Sequence, residues 1–401
     1  MSLVTGSEIA GGTAWSDLER HRDQLVRGSL RDLFAADPER GETLAVSVGD
    51  LWVDYSKHPI TDKTISLLVD LASQLDVPGF IGRMLSGGRV NTTEDRAALH
   101  TALRAPAGTT IVVDGTNVVP GVEETLGRMA DVTDRLRTGR MSGATGRPIT
   151  AIVSLGIGGS HLGPSMATAA LAHLAHPELD IRFASNLDGV EIERALDGLD
   201  PTTTLILICS KTFTTAETMV AAETARAWLV DGVGNDVSAH MAAATAATGL
   251  AAGFGVDPEL TFHVPDWVGG RFSLPSAVGL SVMASVGPDA FAEMLAGMRV
   301  VDEHLASSTP DSNGPMLLGL LDVWHRSFLG SSSLAVVPYS SQLGGFPPWL
   351  QQVSMESLGK RAGTDGGLVA GQTGPVVWGA AGTDGQHAFF QMLHQGTDVV
   401  P

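Results

Sequence analysis

The chain has 401 residues, with 25 Lys plus Arg against 44 Asp plus Glu, and so a formal charge of −19. Such acidity attracts neither nucleic acid nor anionic lipid, and 43% apolar against 17% charged residues excludes a disordered chain. The single cysteine, Cys209, excludes an internal disulfide and a zinc–thiolate cluster.

The opening ten residues, MSLVTGSEIA, contain Glu8 and no Lys or Arg, unlike a secretion signal. No uninterrupted apolar run reaches the roughly 18 residues of a membrane span, and the Ala-rich stretch Met241 to Val256 comes nearest. A soluble, cytoplasmic protein is expected. Helical spacing follows at Trp15 to Phe34 and Thr64 to Leu75. Asn91 and Glu94 resemble a capping box opening a helix from Asp95 to Leu103, which Pro106 ends. Residues 1–108 therefore read as a helical extension without chemistry of its own.

From about Thr109 short β-branched runs alternate with helices. Ile149 to Leu155 is a predicted strand, followed by a glycine loop and a helix from Leu162 to Leu174. Ile181 to Ala184 leads to a helix at Gly189 to Leu196, Thr203 to Cys209 to a helix at Glu217 to Leu229, and Leu260 to Val264 is a shorter strand. Strands apolar throughout, each followed by a helix, predict a parallel sheet covered on both faces, with every strand-to-helix loop at one edge. A second series comprises a helix at Met316 to Phe328, a strand at Leu334 to Val337, a helix at Trp349 to Lys360, a strand at Pro375 to Trp378 and a helix at His387 to His394. Residues 109–300 and 301–401 thus read as two α/β domains. The second holds too few strands to bury its own edge, so a further C-terminal portion is expected.

Two loops suit an anion. Gly156-Ile157-Gly158-Gly159-Ser160 lies between strand and helix, where close backbone approach meets a helix N-terminus. It is an incomplete GxGxxG, since His161 holds the last position, and no ribose-binding acid ends the next strand, which disfavours a dinucleotide oxidoreductase. Ser210-Lys211-Thr212-Phe213-Thr214-Thr215 follows the most apolar strand and gathers hydroxyls around one of only four lysines (Lys57, Lys63, Lys211, Lys360). No GxxxxGK[ST] occurs, so a nucleoside triphosphate is disfavoured and a phosphomonoester preferred. The net negative field is screened over about 8 Å in physiological salt, which leaves close contacts in control.

SLGIGGSHLGP (Ser154 to Pro164), SKTFTTAET (Ser210 to Thr218), DWVGGRFSL (Asp266 to Leu274), MESLGK (Met355 to Lys360) and TGPVVWGAAGTDGQHAFFQMLHQGT (Thr373 to Thr397) resemble the glucose-6-phosphate isomerase family. VDYSKHPIT (Val53 to Thr61) and NTTEDRAALHTALR (Asn91 to Arg104) extend the likeness in order along almost the whole chain. The resemblance implies two sugar-isomerase domains in a homodimer that interconverts glucose 6-phosphate and fructose 6-phosphate, in glycolysis and gluconeogenesis, without metal or organic cofactor. It implies Glu356 as the base that moves a proton between C2 and C1 through a cis-enediol, and Gln352 as a substrate-binding residue. Arg271 would stabilise the enediolate, and His387, reaching the partner subunit's active site, would open the sugar ring. Gly159, Ser160, Ser210, Lys211, Thr212 and Thr215 would hold the phosphate. A salt bridge to Asp266 is a structural alternative for Arg271. His394 reads as structural, and His173 and His176 have possible metal-ligand spacing but no accompanying Cys or acidic ligand set.

Leu358 departs from the family's usual Asn, Ala380 and Ala381 from its Glu-Pro, and the family's C-terminal GVELGK segment with its active-site lysine is not found before Pro401. Lys360 belongs to another motif and cannot replace that lysine. A sugar-phosphate-binding module without turnover is therefore the alternative to the isomerase, although Glu356, Arg271 and His387 are all present.

Overall fold

In the computed structural model, which describes residues 12–25, 28–369 and 371–401, the predicted apolar runs become a parallel sheet. The ten opening residues weighed as a leader lie outside the described residues. The chain folds as two compact units: Arg96–Ala296 with Pro338–Val353, and the described residues up to Asp95 with Gly297–Val337 and Ser354–Pro401.

The first of these carries β1 (Ala151–Leu155), β2 (Asp180–Ala184), β3 (Thr204–Cys209), β4 (Met241–Thr245) and β5 (Thr261–His263). They pair in parallel in the order β2-β1-β3-β4-β5. Every residue of β1, β3 and β4 is buried, as continuous apolar strands require when helices cover both faces. Helices α1 (Leu162–Ala170), α2 (Gly189–Leu196), α3 (Ala216–Val233) and α4 (Thr248–Phe254) follow β1 to β4. On one face Val153, Leu155, Ile206 and Ile208 pack with Ala222, Ala225, Leu229 and Ala251. Helix Val119–Arg137 is fastened beside β5 by Arg128, whose Nη2 donates to the carbonyls of Pro258, Glu259 and Thr261 at 3.1–3.2 Å.

The Ala-rich stretch Met241 to Val256, to which the sequence reading assigns no element, is strand β4 followed by α4, with Met241 opposite Ile206 and Ala244 opposite Cys209. Alanine has weak strand propensity, but at a sheet centre covered on both sides its small side chain admits close helices. The expected helix from Asp95 to Leu103 is absent. Asn91 Nδ2 donates to Glu94 Oε2 at 2.7 Å, Asp95 has φ of 48°, and the Leu99 N–H goes to Trp267 O at 3.0 Å, leaving only a 3₁₀ turn at His100–Arg104. The helix expected at Trp349 to Lys360 begins instead at Phe346, because Pro347 and Pro348 suit a first helical turn, and after Gln351 it widens into a π turn at Gln352–Glu356.

In the other unit, helices Thr13–Leu25, Asp62–Gln74 and Gly314–Val323 share an apolar cluster of Leu18, Ile60, Leu68, Leu317, Trp324 and Phe328. The predicted helix Trp15 to Phe34 is divided into Thr13–Leu25 and Leu30–Ala36, with residues 26–27 outside the described set. The stretch between them and Asp62 is not all helical. Ala45–Val48 and Leu51–Asp54 form an antiparallel hairpin that turns at Gly49, with φ of 57°. Buried Arg40 donates to the carbonyls of Ser56, His58 and Ile60. β6 (Ser333–Ala335) and β7 (Val376–Trp378) pair in parallel, and the Ala335 N–H donates to Pro401 O at 3.1 Å. α5 (Gly382–Gln395) contains the helix predicted around His387. Among the described residues no single helix is long and apolar enough to cross a membrane.

Candidate active site

Leu155 lies opposite Ile208, so the loops that leave β1 and β3 emerge side by side at the carboxyl edge of the sheet. This is the edge at which parallel α/β sheets hold ligands. Within the first loop, two glycines have separate steric reasons. Gly158 has φ of 56°, and a Cβ on it would lie 2.7 Å from Gln352 Nε2. A Cβ on Gly159 would lie 2.0 Å from Gly270 O and 2.7 Å from Arg271 N. The glycine loop is therefore pressed directly against the backbone that carries Arg271. Ser273 Oγ strengthens the join, donating to Gly270 O at 2.6 Å and lying 3.3 Å from Gly159 O. Ser160 ends the short 3₁₀ turn Gly158–Ser160. His161 follows it, with its ring 5.8 Å from Phe183 in an edge-on contact, and burial lowers its pKa.

The second loop is anchored to the core by Phe213. Phe213 takes φ of 54°, an unfavourable conformation for a bulky residue, and its buried ring meets Phe254 edge-on at 5.8 Å. Ser210 is buried, with Oγ 3.0 Å from Thr215 Oγ1. Thr212 is exposed and accepts from Thr214 Oγ1 at 2.9 Å. Thr215 stands at the N-cap of α3 without capping it through its side chain. Lys211 Nζ donates to Asp266 O at 2.7 Å and Val268 O at 3.0 Å, so this ammonium ties the loop to Asp266–Leu274. Asp266 Oδ1 also lies 3.9 Å from both Lys211 and Arg96. Arg271 sits on the 3₁₀ turn Gly270–Phe272, its Cζ 5.5 Å from the centre of the Phe272 ring. One unit thus gathers hydroxyls, an ammonium, a guanidinium loop and the start of a long helix, a combination suited to a phosphate ester.

Glu356 and His387 belong to the other unit. Glu356 is exposed and closes the π turn that Gln352 opens, and Lys360 Nζ donates to its carbonyl oxygen at 2.6 Å. π turns interrupt helices frequently at functional positions. Leu358 packs beside Gly374, where a Cβ would come within 2.5 Å of its own Cβ. His387 is exposed on α5, which Ala381 precedes as N-cap. His394 lies further along the same helix, 5.7 Å from the Phe390 ring.

Sequence spacing missed the fit of Gln352 over Gly158, the contact of Gly159 with Gly270, and the use of the Asp266 and Val268 carbonyls by Lys211. The double glycine in DWVGGRFSL was the available signal for the second. The positive φ of Phe213 had no signal, since bulky residues ordinarily avoid it.

The fold and these loops define an α/β protein whose parallel sheet carries two loops of anion-binding chemistry at its carboxyl edge. A family model described as phosphoglucose isomerase matches residues 54–401. Glucose-6-phosphate isomerase of Mycolicibacterium vanbaalenii is 50% identical over 401 residues, which cover 99% of this chain and 72% of the relative. Glucose-6-phosphate isomerase 1 of Streptomyces avermitilis is 51% identical over 391 residues, 96% of this chain and 71% of the relative. The crystal structure of a glucose-6-phosphate isomerase from Chlamydia trachomatis superposes with a TM-score of 0.88 at 30% identity, covering 98% of this chain and 75% of that one. The chain belongs to the phosphoglucose isomerase family.

Proposed function

We propose that this chain interconverts glucose 6-phosphate and fructose 6-phosphate, with the sheet edge as its phosphate site. The observation that supports the reading is the close approach of Gly159 to Gly270 and Arg271 N, which brings the glycine loop proposed for the phosphate against the backbone that carries Arg271. Family membership supports the reaction, and the presence of Glu356, Arg271 and His387 argues against a module without turnover.

In the proposed mechanism Ser160, Ser210, Thr212 and Thr215 donate to the phosphate, and the backbone at Gly159 allows close approach. Lys211 adds positive charge from its carbonyl tether. Glu356 removes a proton from C2 and returns it to C1, or the reverse, through a cis-enediol. The carboxylate stays on the same face throughout because one substrate position serves both carbons. Arg271 stabilises the enediolate oxygen, a contribution of about 3 kcal/mol for a donor of this kind. Gln352 orients the sugar from the same π turn. His387 transfers the ring-opening proton, and its exposure on α5 is compatible with service to a partner subunit in a homodimer. Residues 109–300 and 301–401 would be the two sugar-isomerase domains. The reaction would stand in glycolysis and gluconeogenesis in the cytoplasm, where phosphorylated hexoses are made and consumed.

The test is a coupled assay with fructose 6-phosphate in which glucose 6-phosphate is consumed by an NADP-dependent dehydrogenase. Sustained turnover supports the reading. Phosphate-ligand binding without turnover would favour the binding module instead.

A further inference from the structure

The segment Arg96–Arg104 lies in a motif to which none of the roles above assigns a task. Its chain is fastened to the arginine loop at several points: the Leu99 N–H donates to Trp267 O at 3.0 Å, and Arg96 Nη1 to Asp266 O at 3.2 Å. The Trp267 side chain packs against Ala97, Leu99 and Ala102. At the start of the following 3₁₀ turn, the His100 ring stacks on Phe272 with centroids 4.8 Å apart and planes inclined by 20°. Phe272 is the residue next to Arg271, and the same ring holds the Arg271 guanidinium carbon at 5.5 Å.

The electron-rich face of an aromatic ring attracts a guanidinium, and the preferred place of that cation follows the ring. A second ring stacked in parallel limits tilting of the first. We infer that His100 is a positioning residue for the proposed isomerisation: it fixes the plane of Phe272, and through that ring the guanidinium of Arg271. Desolvation, aided by the nearby charge of Arg104, pushes the His100 pKa down to about 4, so the stacked imidazole is neutral at ordinary pH and does not repel Arg271.

The inference rests on the proposed role of Arg271, and the experiment separates the two. His100→Leu fills the space without a ring, whereas His100→Phe keeps the ring without the nitrogens. His100→Leu should lower kcat about ten- to a hundredfold with little change in KM, as expected when a catalytic group is misplaced by a fraction of an ångström to about 1 Å. His100→Phe should restore most of the loss. In an Arg271→Ala background, His100→Leu should cost almost nothing further, because the group it positions has gone. If Arg271→Ala itself leaves kcat unchanged, the reading of Arg271 fails. If Arg271→Ala cripples the enzyme but the Leu and Phe variants of His100 are equally active, or His100→Leu costs as much in both backgrounds, the positioning role is overturned. Thermal unfolding of each variant shows whether a general loss of stability accounts for the change. Equal melting temperatures for the Leu and Phe variants with unequal kcat support positioning, and a kcat difference that follows melting temperature refutes it.

Discussion

Gly159→Ala offers the sharpest test of how the site is assembled. The added Cβ would meet Gly270 O at 2.0 Å, Gly270 C at 2.3 Å and Arg271 N at 2.7 Å. All three are backbone atoms, so no side-chain rotation relieves the clash. Ordinary carbon contacts begin at about 3.5 Å, so the two loops must separate by about 1 Å or more. A displacement of that size between binding and catalytic groups typically costs about a hundredfold in rate, close to 3 kcal/mol in transition-state stabilisation. The expected result is a fall of about that size in kcat/KM for fructose 6-phosphate in the coupled assay. Gly127→Ala is the control, because a Cβ there meets nothing within 4 Å and the position lies inside helix Val119–Arg137. A folded Gly159→Ala protein with unchanged kcat/KM would refute the claim that this contact sets Arg271 against the phosphate loop.

Glu356→Gln should abolish isomerisation while leaving the affinity for a phosphorylated sugar acid nearly unchanged, and retained turnover would remove Glu356 as the base. If His387 acts across a dimer, mixing the inactive Glu356→Gln and His387→Ala chains should recover about a quarter of wild-type activity, since half the dimers then carry one intact site. No recovery after subunit exchange counts against a shared site. His58 Nδ1 lies 2.7 Å from His325 Nε2, which requires at least one neutral ring as acceptor. Desolvation lowers both pKa values, His325 to about 4, assisted by His58. Groups whose folded pKa is depressed in this way favour folding above the unfolded value of about 6.5 and lose that support as pH falls towards 4. Melting temperature should therefore drop from pH 7 to pH 5, and less steeply in His58→Asn; equal slopes would exclude the pair as the cause. Arg40→Leu should destabilise the fold by about 3 kcal/mol or more, because it strands the buried carbonyls of Ser56, His58 and Ile60, and denaturant unfolding measures the loss.

The strands around β1 and β3 were legible because burial on both faces makes their residues apolar without interruption. β4 was not, because Met241 to Thr245 gain their strand character from Ile206 to Cys209 alongside rather than from propensity. Likewise, Asn91 and Glu94 have the spacing of a capping box, yet their side chains bond to each other and Asp95 turns out of helical space.

By itself the sequence determined the parallel sheet, the chemical character of its two edge loops and the motifs of the family, since each depends on residues a few positions apart. Tertiary structure alone decided that Gly159 abuts Gly270, that Gln352 fits over Gly158, and that Lys211 spends its hydrogen bonds on Asp266 and Val268. These contacts join residues far apart in the chain, where periodicity and propensity carry no information, and only the crossovers between strands bring their atoms within reach.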